Sequence, residues 1–425
     1  MSVHEIHDMT LRDSRMTRKP ATILIIPTRD SGAIAPETPV AGLPLLRRIV
    51  VTASRAGCNN ILVLDAGPPG LAKLLEGTGA TVVPLGQLAD HHQSRRILLL
   101  ASDLIPHRLL LKHLLEIPLP AGTMLAPTSG IAVVETLDPR PLLASIAADA
   151  VNGGSVFPEL ARSLNRAQAG SHGNGTGDLL TEGRGWVHVR TRKDLSSAER
   201  WLLRGLIKET EGCMSRHINR KVSLAITRRL LRTDITPNQM TALSVLVGLV
   251  GAVFFLSSTP AYQLSGALLF LAHSILDGCD GEIARLKYLE SRLGGILDFW
   301  GDNLVHVAVF ACIGLGWQRA VESSFPLVLA FSAAAGSLLS AGVVYRKTMH
   351  TKPAEGPLFT SVTHSETSTR LTTLADALAR RDFIYLVVIL SAFGRARWFL
   401  MLAAIGAPLF FFMLLWISRR EGVQT

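Results

Sequence analysis

Residues 277–302 read DGCDGEIARLKYLESRLGGILDFWGD, a stretch that places four carboxylates inside or beside apolar segments. They are Asp277, Asp280, Asp298 and Asp302, and the pattern is D-x2-D-G-x2-A-R-x8-G-x3-D-x3-D. Carboxylates near the core of a bilayer are energetically expensive and are usually functional. The first pair is spaced i,i+3 and the second i,i+4, so each pair shares one face of a helix.

The two acidic helix faces predict a metal site. If they meet, their carboxylates form an all-oxygen pocket that suits Mg2+ or Mn2+ better than a soft metal. Four carboxylates would balance the charge of two divalent ions. The alternative is a polar seam between helices built from Asp–Arg pairs, but such a seam does not need four Asp and two Gly in this order.

The same string resembles the signature of the CDP-alcohol phosphotransferases, with every fixed position present at the family's spacing. The resemblance implies a cytidine diphosphate alcohol as donor; an acceptor hydroxyl attacks its β-phosphorus and CMP leaves. It implies that Asp277, Asp280 and Asp298 are metal ligands. Asp302 is also counted among the expected metal-site residues, and it takes the family position of the catalytic base. Nearby metals and partial burial can tune a carboxylate for that role.

Other positions of the signature are expected to contact the CDP-alcohol. Gly281 and Gly294 lack side chains, so cytidine or backbone can approach closely there. Ala284 fits the same crowded space. Arg285 is expected to hold a phosphate, and a structural ion pair with an aspartate is the alternative.

A helix start is predicted at residues 236–241, which read TPNQMT. Proline in the first turn after a hydroxyl residue is typical of a helix N-terminus. The string is similar to the one that opens the first membrane helix of the family. The resemblance implies that Asn238 and Thr241 also contact the CDP-alcohol.

The chain has 425 residues, of which 48% are hydrophobic, and a mean hydropathy of +0.32. Short apolar runs alternate with polar loops up to about residue 233, and long apolar runs dominate from residue 239, which predicts one soluble and one membrane domain. Residues 1–19 are polar and predict a disordered leader with no signal peptide. The net charge of +10 is attributed to basic membrane margins, so no nucleic-acid partner is expected.

Six apolar runs predict six transmembrane helices in an all-α domain at residues 236–420. The runs are Thr241–Ser257, Tyr262–Leu276, Ile296–Trp317, Pro326–Val344, Ile384–Phe393 and Trp398–Ile417. Basic residues concentrate in the loops on the side of the N-terminus, which is the positive-inside asymmetry. We therefore expect an inner (cytoplasmic) membrane protein whose N-terminal domain and acidic cluster face the cytoplasm.

Residues 20–196 alternate predicted strands and helices, which indicates an α/β, Rossmann-like domain with helices on the faces of a parallel sheet. The strands are Ala21–Pro27, Asn60–Asp65, Ala80–Pro84, Arg96–Asp103 and Trp186–Val189, and the helices are Pro44–Ala56 and Leu71–Gly77. The order of elements resembles the sugar-nucleotide cytidylyltransferase fold. A similar domain precedes the phosphotransferase in inositol-phosphate cytidylyltransferase/phosphotransferase fusions.

The chemistry of that nucleotidyltransferase-like domain is expected to be lost. Such enzymes hold a triphosphate in a Gly-rich loop with a basic residue. The matching residues 27–36 contain one Gly and no Lys, and Arg190 stands where a metal-binding Asp is expected. Asp103 is either a metal ligand or a turn residue.

Residues 197–235 carry Arg, Lys, Leu and Ile at helical spacing. The pattern predicts an amphipathic helix on the membrane surface, with a solvated linker helix as the alternative.

Basic residues near two predicted helix ends are candidates for acceptor binding, because an anionic acceptor such as inositol phosphate needs them. The basic residues are Arg346, Lys347, Arg380 and Arg381. Tyr345, which directly precedes Arg346, is a candidate together with them. Ordinary positive-inside anchors are the alternative.

The sequence thus predicts a membrane phosphotransferase in phospholipid or polyol-phosphodiester synthesis. One alternative is a bifunctional enzyme whose first domain makes the CDP-alcohol from CTP; another is a non-catalytic scaffold or a transporter. The expected partners are a CDP-alcohol donor, a lipid or polyol-phosphate acceptor, membrane lipids and, by resemblance, a second copy in a homodimer.

Overall fold

The computed structural model describes residues 21–27, 34–65, 70–90, 94–151, 165–166, 181–206, 218–349 and 383–421. The chain divides into two compact units between Leu202 and Leu203. Three parts of the sequence predictions lie outside the described residues. They are the predicted leader at 1–19, residues 28–33 of the candidate nucleotide loop, and Arg380 with Arg381.

The first unit contains a mixed seven-stranded sheet of order β10-β8-β9-β6-β1-β4-β5. Strands β6, β1, β4 and β5 are parallel neighbours, and β9 is antiparallel to both β6 and β8. The sheet strands are β1 (Ala21–Ile26), β4 (Asn60–Asp65), β5 (Thr81–Pro84), β6 (Arg96–Ala101), β8 (Thr123–Thr128), β9 (Ile131–Glu135) and β10 (Asn165–Arg166). Two short antiparallel pairs add β2 (Pro39–Val40) with β3 (Leu43–Pro44), and β7 (Leu104–Pro106) with β11 (Trp186–His188).

Among the described residues, five helices accompany these strands, and the last of them crosses the boundary between the units. They are α1 (Leu45–Arg55), α2 (Leu71–Leu74), α3 (Arg108–Glu116), α4 (Arg140–Val151) and α5 (Arg192–Arg204). The mixed α/β architecture confirms the predicted class in outline. The predicted helix from Leu71 is a single turn, and the predicted strand from Arg96 ends at Ala101 before a turn into β7.

Strand β1 shows why the central strands read as continuous apolar runs. Ile23 and Ile25 belong to one hydrophobic cluster, and Leu24 and Ile26 belong to another. Successive side chains of a strand point to opposite faces, so both faces of this strand are covered.

A buried ion pair joins β6 to β9. Arg96 lies directly opposite Glu135 in the ladder, and its Nε is 2.7 Å from Glu135 Oε2. The two side chains are 6% and 9% exposed, and Arg96 Nη1 also donates to the Leu115 carbonyl.

The second unit is helical. Its helices are α6 (Arg220–Leu230), α7 (Pro237–Phe254), α8 (Pro260–Lys287), α9 (Arg292–Val321), α10 (Phe325–Met349), α11 (Phe383–Ala392) and α12 (Ala396–Glu421). Helix α7 begins as predicted, with Pro237 at its first turn. Thr236 and Gln239 form a reciprocal capping box there.

Four helices among the described residues are long and apolar enough to cross a membrane: α7, α9, α10 and α12. Helix α8 is 28 residues long, but its C-terminal turns carry the charged motif, and α11 has 10 residues. The membrane character of this unit agrees with the sequence, whereas the number of six crossings remains a prediction.

Helix α7 packs against both α8 and α9. A Cβ at Gly248 of α7 would lie 2.6 Å from Val305 of α9 and 2.9 Å from the ring of His273 on α8. Only glycine permits this approach, and it brings the acidic parts of α8 and α9 to one place.

Replacing Glu135 with alanine should leave the charge of Arg96 buried and unpaired. We expect the free energy of unfolding to fall by about 3–5 kcal/mol, the usual cost of breaking a buried pair. The measurement is a urea titration of the detergent-solubilised full chain, followed by tryptophan fluorescence. Glu116→Ala, at an exposed position of α3, is the matched control and should change stability by about 0.5 kcal/mol or less. Equal losses in the two variants would contradict the role given to the pair.

Candidate active site

Three carboxylates from two helices converge. Oxygen atoms of Asp277 and Asp280 on α8 and of Asp298 on α9 all lie within 4.8 Å of one another. Asp277 and Asp280 are buried, and Asp298 is partly buried. Oδ1 of Asp298 is buried and has no hydrogen-bond partner among the described residues. Such an orphaned oxygen in an all-carboxylate set fits a hard divalent cation.

Asp280 is held in place from a third helix. The Thr241 hydroxyl of α7 donates to Asp280 Oδ2, and the Gly281 backbone N–H donates to Oδ1. Thr241 was predicted to contact the CDP-alcohol; in this structure its hydroxyl orients an aspartate.

Asp302 lies one helical turn beyond Asp298 on α9, and its surroundings differ. Its Oδ1 is 3.3 Å from Nε2 of His273 on α8, and its side chain is 18% exposed. The three-carboxylate group does not include it. Its role as base or as a further ligand remains a prediction.

The predicted donor-binding residues lie around the two glycines of the motif. A Cβ at Gly281 would lie 3.3 Å from Arg285 Nη1, and a Cβ at Gly294 would lie 3.0 Å from Asn238 Oδ1. Asn238 is exposed and Ala284 is half-buried. Nε of Arg285 is buried with no hydrogen-bond partner among the described residues, so one donor is available to an anion.

The sequence analysis missed Glu282, which stands at a variable position of the motif. Its side chain is fully buried, and Arg220 Nη1 of α6 lies 2.7 Å from its Oε1. The hydroxyls of Ser223 and Thr227 donate to its two oxygens at 2.7 and 2.6 Å. The face of α6 that meets α8 therefore combines these polar contacts with apolar packing of Ile226 and Leu230. The i,i+4 spacing of Ser223 and Thr227 was the available signal.

The candidate acceptor residues fall into two groups. Tyr345 of α10 lies beside Phe299 and Trp300, which follow Asp298 on α9, with ring centroids 6.2 and 5.7 Å away. Arg346 and Lys347 are exposed. The structure therefore brings the tyrosine to the helix that carries Asp298.

In the first unit, Asp103 is already paired. Nε of Arg190 lies 3.1 Å from Asp103 Oδ2; the carboxylate is 8% exposed and the guanidinium side chain 56%. Burial lowers the pKa of neighbouring His188, and the Coulombic effect of Arg190 lowers it further. The two residues singled out from the sequence thus meet, and a guanidinium stands beside the candidate metal ligand.

Comparison with known proteins assigns the helical part of the chain to a protein family. Residues 234–423 match the family model described as CDP-alcohol phosphatidyltransferase. These residues form a CDP-alcohol phosphatidyltransferase domain. The match contains all four aspartates of the motif and α7 to α12.

Two relatives illustrate the similarity. The "Bifunctional IPC transferase and DIPP synthase" of Thermococcus kodakarensis is 40% identical over 135 residues, which cover 32% of this chain and 30% of that protein. The "CDP-diacylglycerol--serine O-phosphatidyltransferase" of Mycobacterium leprae is 38% identical over 76 residues, or 18% of this chain and 24% of that protein. This chain matches about a third or less of each relative's length.

Among solved structures, phosphatidylinositol phosphate synthase of Mycobacterium tuberculosis with CDP-DAG bound is 18% identical to this chain. The comparison covers 46% of this chain and 92% of that chain, with a TM-score of 0.32.

Replacing Asp298 with asparagine should weaken divalent-cation binding, because it removes the charge of the carboxylate that carries the unpartnered oxygen. We expect the affinity for Mn2+ to fall by at least tenfold, since losing even an outer partner of a metal ligand costs roughly 10–100-fold. Electron paramagnetic resonance of free Mn2+ in titrations of the purified protein measures this. Glu322→Gln, at the exposed end of α9, is the control and should bind as the wild type does. Unchanged binding in Asp298→Asn would exclude Asp298 as a ligand.

Proposed function

We propose that the protein is an integral membrane phosphotransferase that moves a substituted phosphate from a CDP-alcohol to an acceptor hydroxyl and releases CMP. The reaction would serve phospholipid or polyol-phosphodiester synthesis. The main support is the convergence of Asp277, Asp280 and Asp298 within 4.8 Å of one another, inside the family domain.

The three converging carboxylates would hold Mg2+ or Mn2+, two ions in our proposal. Bound divalent ions neutralise the charge of the donor's diphosphate. Thr241 keeps Asp280 turned toward this group. The partnerless Oδ1 of Asp298 gives the site a ligand atom that no protein donor occupies among the described residues.

Asp302 is the proposed base. The acceptor oxygen forms a bond to the β-phosphorus, and the acceptor's proton passes to the Asp302 carboxylate. The bond from the β-phosphorus to the oxygen that bridges to the α-phosphate breaks, and this oxygen leaves with CMP. Asp302 suits the role because it is 18% exposed and lies one turn beyond Asp298.

The CDP-alcohol is proposed to lie along Gly281 and Gly294. Because neither glycine has a side chain, space remains beside Arg285 and Asn238. An added Cβ would lie 3.3 Å from Arg285 at Gly281 and 3.0 Å from Asn238 at Gly294. The buried Nε of Arg285 supplies a donor for a phosphate oxygen. Thr241 and Ala284 complete the proposed donor-binding set.

The acceptor is proposed to be an anionic polyol or lipid headgroup, near the cytoplasmic end of α10. The support is the contact of Tyr345 with the rings of Phe299 and Trp300, together with the exposed charges of Arg346 and Lys347. Arg380 and Arg381 are proposed to add to this charge. The orientation with the site on the cytoplasmic side of the inner membrane, and a homodimer, belong to the same proposal.

Transfer should depend on divalent metal and on the two aspartates of α9 in different ways. EDTA should abolish CMP release from CDP-alcohols, and Mg2+ or Mn2+ should restore it. Asp302→Asn should lower turnover by roughly 10²–10⁴-fold, the range of a general base, with donor binding nearly unchanged. Asp298→Asn should lose metal-dependent donor binding.

The measurement is CMP release beside donor affinity for both variants, with Glu322→Gln as the control. Full activity in EDTA would refute the metal-dependent mechanism. If Asp302→Asn loses donor binding as badly as Asp298→Asn, then Asp302 is chiefly a metal ligand.

A second candidate function is synthesis of the CDP-alcohol from CTP by the first unit. The name of the Thermococcus kodakarensis relative, "Bifunctional IPC transferase and DIPP synthase", favours it. The Arg190–Asp103 pair argues against it, because a guanidinium 3.1 Å from the carboxylate competes with a metal ion there. We propose that this nucleotidyltransferase-like unit is inactive.

The full chain carrying Asp298→Asn should therefore release no pyrophosphate from CTP with inositol phosphate or glycerol phosphate. The substitution removes the transfer reaction and leaves the first unit unchanged, so any pyrophosphate would come from that unit. A coupled pyrophosphate assay measures this, with Asp103→Asn added in the same chain as the background control. Release that disappears on adding Asp103→Asn would establish the bifunctional enzyme instead.

A further inference from the structure

One buried histidine connects three helices at the acidic site. His273 of α8 is 2% exposed and precedes Asp277 by one helical turn. Its Nδ1 lies 2.9 Å from the Ser244 carbonyl oxygen of α7, and its Nε2 lies 3.3 Å from Asp302 Oδ1 of α9. Neither the motif nor the proposed mechanism gives this residue a role.

The two ring nitrogens face groups that only accept hydrogen bonds. A carbonyl oxygen accepts, so Nδ1 is the donor toward Ser244. That leaves Nε2 for Asp302, and a hydrogen bond to the ionised carboxylate has Nε2 as its donor, since an ionised carboxylate only accepts. The backbone of α7 therefore fixes which nitrogen meets Asp302.

Packing prevents the ring from turning away. The Phe270 ring lies parallel to it, with an interplanar angle of 18° and centroids 6.1 Å apart. On the α7 side, a Cβ at Gly248 would come within 2.9 Å of His273 Cγ. The imidazole is thus held between α7 and its own helix with its Nε2 directed at α9.

We propose that His273 is a positioning residue for Asp302. By holding Oδ1, it fixes the carboxylate for proton transfer and keeps it apart from the metal-binding group of Asp277, Asp280 and Asp298. This explains how two aspartates one turn apart on α9 take different roles. The inference rests on the proposed function for its catalytic part; its effect on metal binding is independent of activity.

Two substitutions separate the two ring contacts. The side-chain amide of glutamine reaches the position of Nε2, and that of asparagine reaches the position of Nδ1. His273→Gln can therefore still donate to Asp302, whereas His273→Asn can donate only to Ser244. His306→Asn is the matched control, because His306 also packs against Phe270, with ring centroids 5.6 Å apart.

We expect kcat to fall about 10²-fold in His273→Asn, the scale of a misplaced catalytic group, and less than about tenfold in His273→Gln. The KM for the donor should stay within about threefold in both. Adding His273→Asn to Asp302→Asn should cause little further loss, because the histidine acts through that aspartate. His306→Asn should keep wild-type turnover.

Metal binding gives the second readout. In His273→Asn, Asp302 loses its contact with the ring and a fourth carboxylate can approach the other three, so Mn2+ should bind roughly tenfold tighter, because affinity for a hard cation rises with the number of charged oxygen ligands. His273→Gln should bind Mn2+ as the wild type does. If the wild type transfers nothing from any CDP-alcohol, the proposed function fails, and the Mn2+ comparison still decides the role of His273.

Three results would overturn the inference. Equal losses of kcat in the two His273 variants would indicate a packing role. Additive losses in the double variant would show that His273 does not act through Asp302. Unchanged Mn2+ affinity in His273→Asn would show that it does not keep Asp302 from the metal group.

Discussion

Mutual repulsion between carboxylates is the constraint on which the helical unit depends. Three of them lie within 4.8 Å of one another between α8 and α9, and two of the three are buried. In a medium of low effective dielectric constant, such charges oppose the approach of the two helices. Polar partners offset part of this cost: Thr241 donates to Asp280, and His273 contacts Asp302. A divalent cation would offset the rest, so metal binding and helix packing are expected to support each other.

Helix α7 supplies the packing that works against this repulsion. It contacts both α8 and α9, and at Gly248 it approaches the side chains of His273 and Val305 so closely that no Cβ fits. Behind the acidic group, Phe270, Val305 and Phe310 belong to one buried apolar cluster that spans several helices. Apolar burial of this kind is non-directional and can hold helices together against a local electrostatic cost. The site is therefore built by the bundle and not by either acidic helix alone.

The sequence predicted what depends on spacing and missed what depends on tertiary contact. Helical spacing predicted that Asp277 and Asp280 share one helix face, and continuous apolar runs predicted β1 and β4 nearly to the residue. Strands β8 and β9 were missed, and so was the burial of Glu282 against α6. A glutamate at a variable motif position gives no local sign that Arg220, far away in sequence, will neutralise it. The contact between His273 and Asp302 was missed for the same reason, because three separate helices create it.

Among the described residues, the two units differ in whether the buried oxygens of their acidic groups all have a cationic or hydrogen-bonding partner. In the first unit, the two buried carboxylates described each have a cationic partner: Arg96 lies beside Glu135, and Arg190 lies beside Asp103. In the helical unit, Glu282 is neutralised by Arg220, but Oδ1 of Asp298 has no donor among the described residues. Because Glu135, Asp103 and Glu282 each have a cationic partner, an oxygen without a donor beside two further carboxylates is the place where a cation from solution is expected to bind. The Oδ1 atom of Asp298, which has no donor among the described residues, is therefore a stronger argument for a binding site over a polar seam between helices than the number of acids.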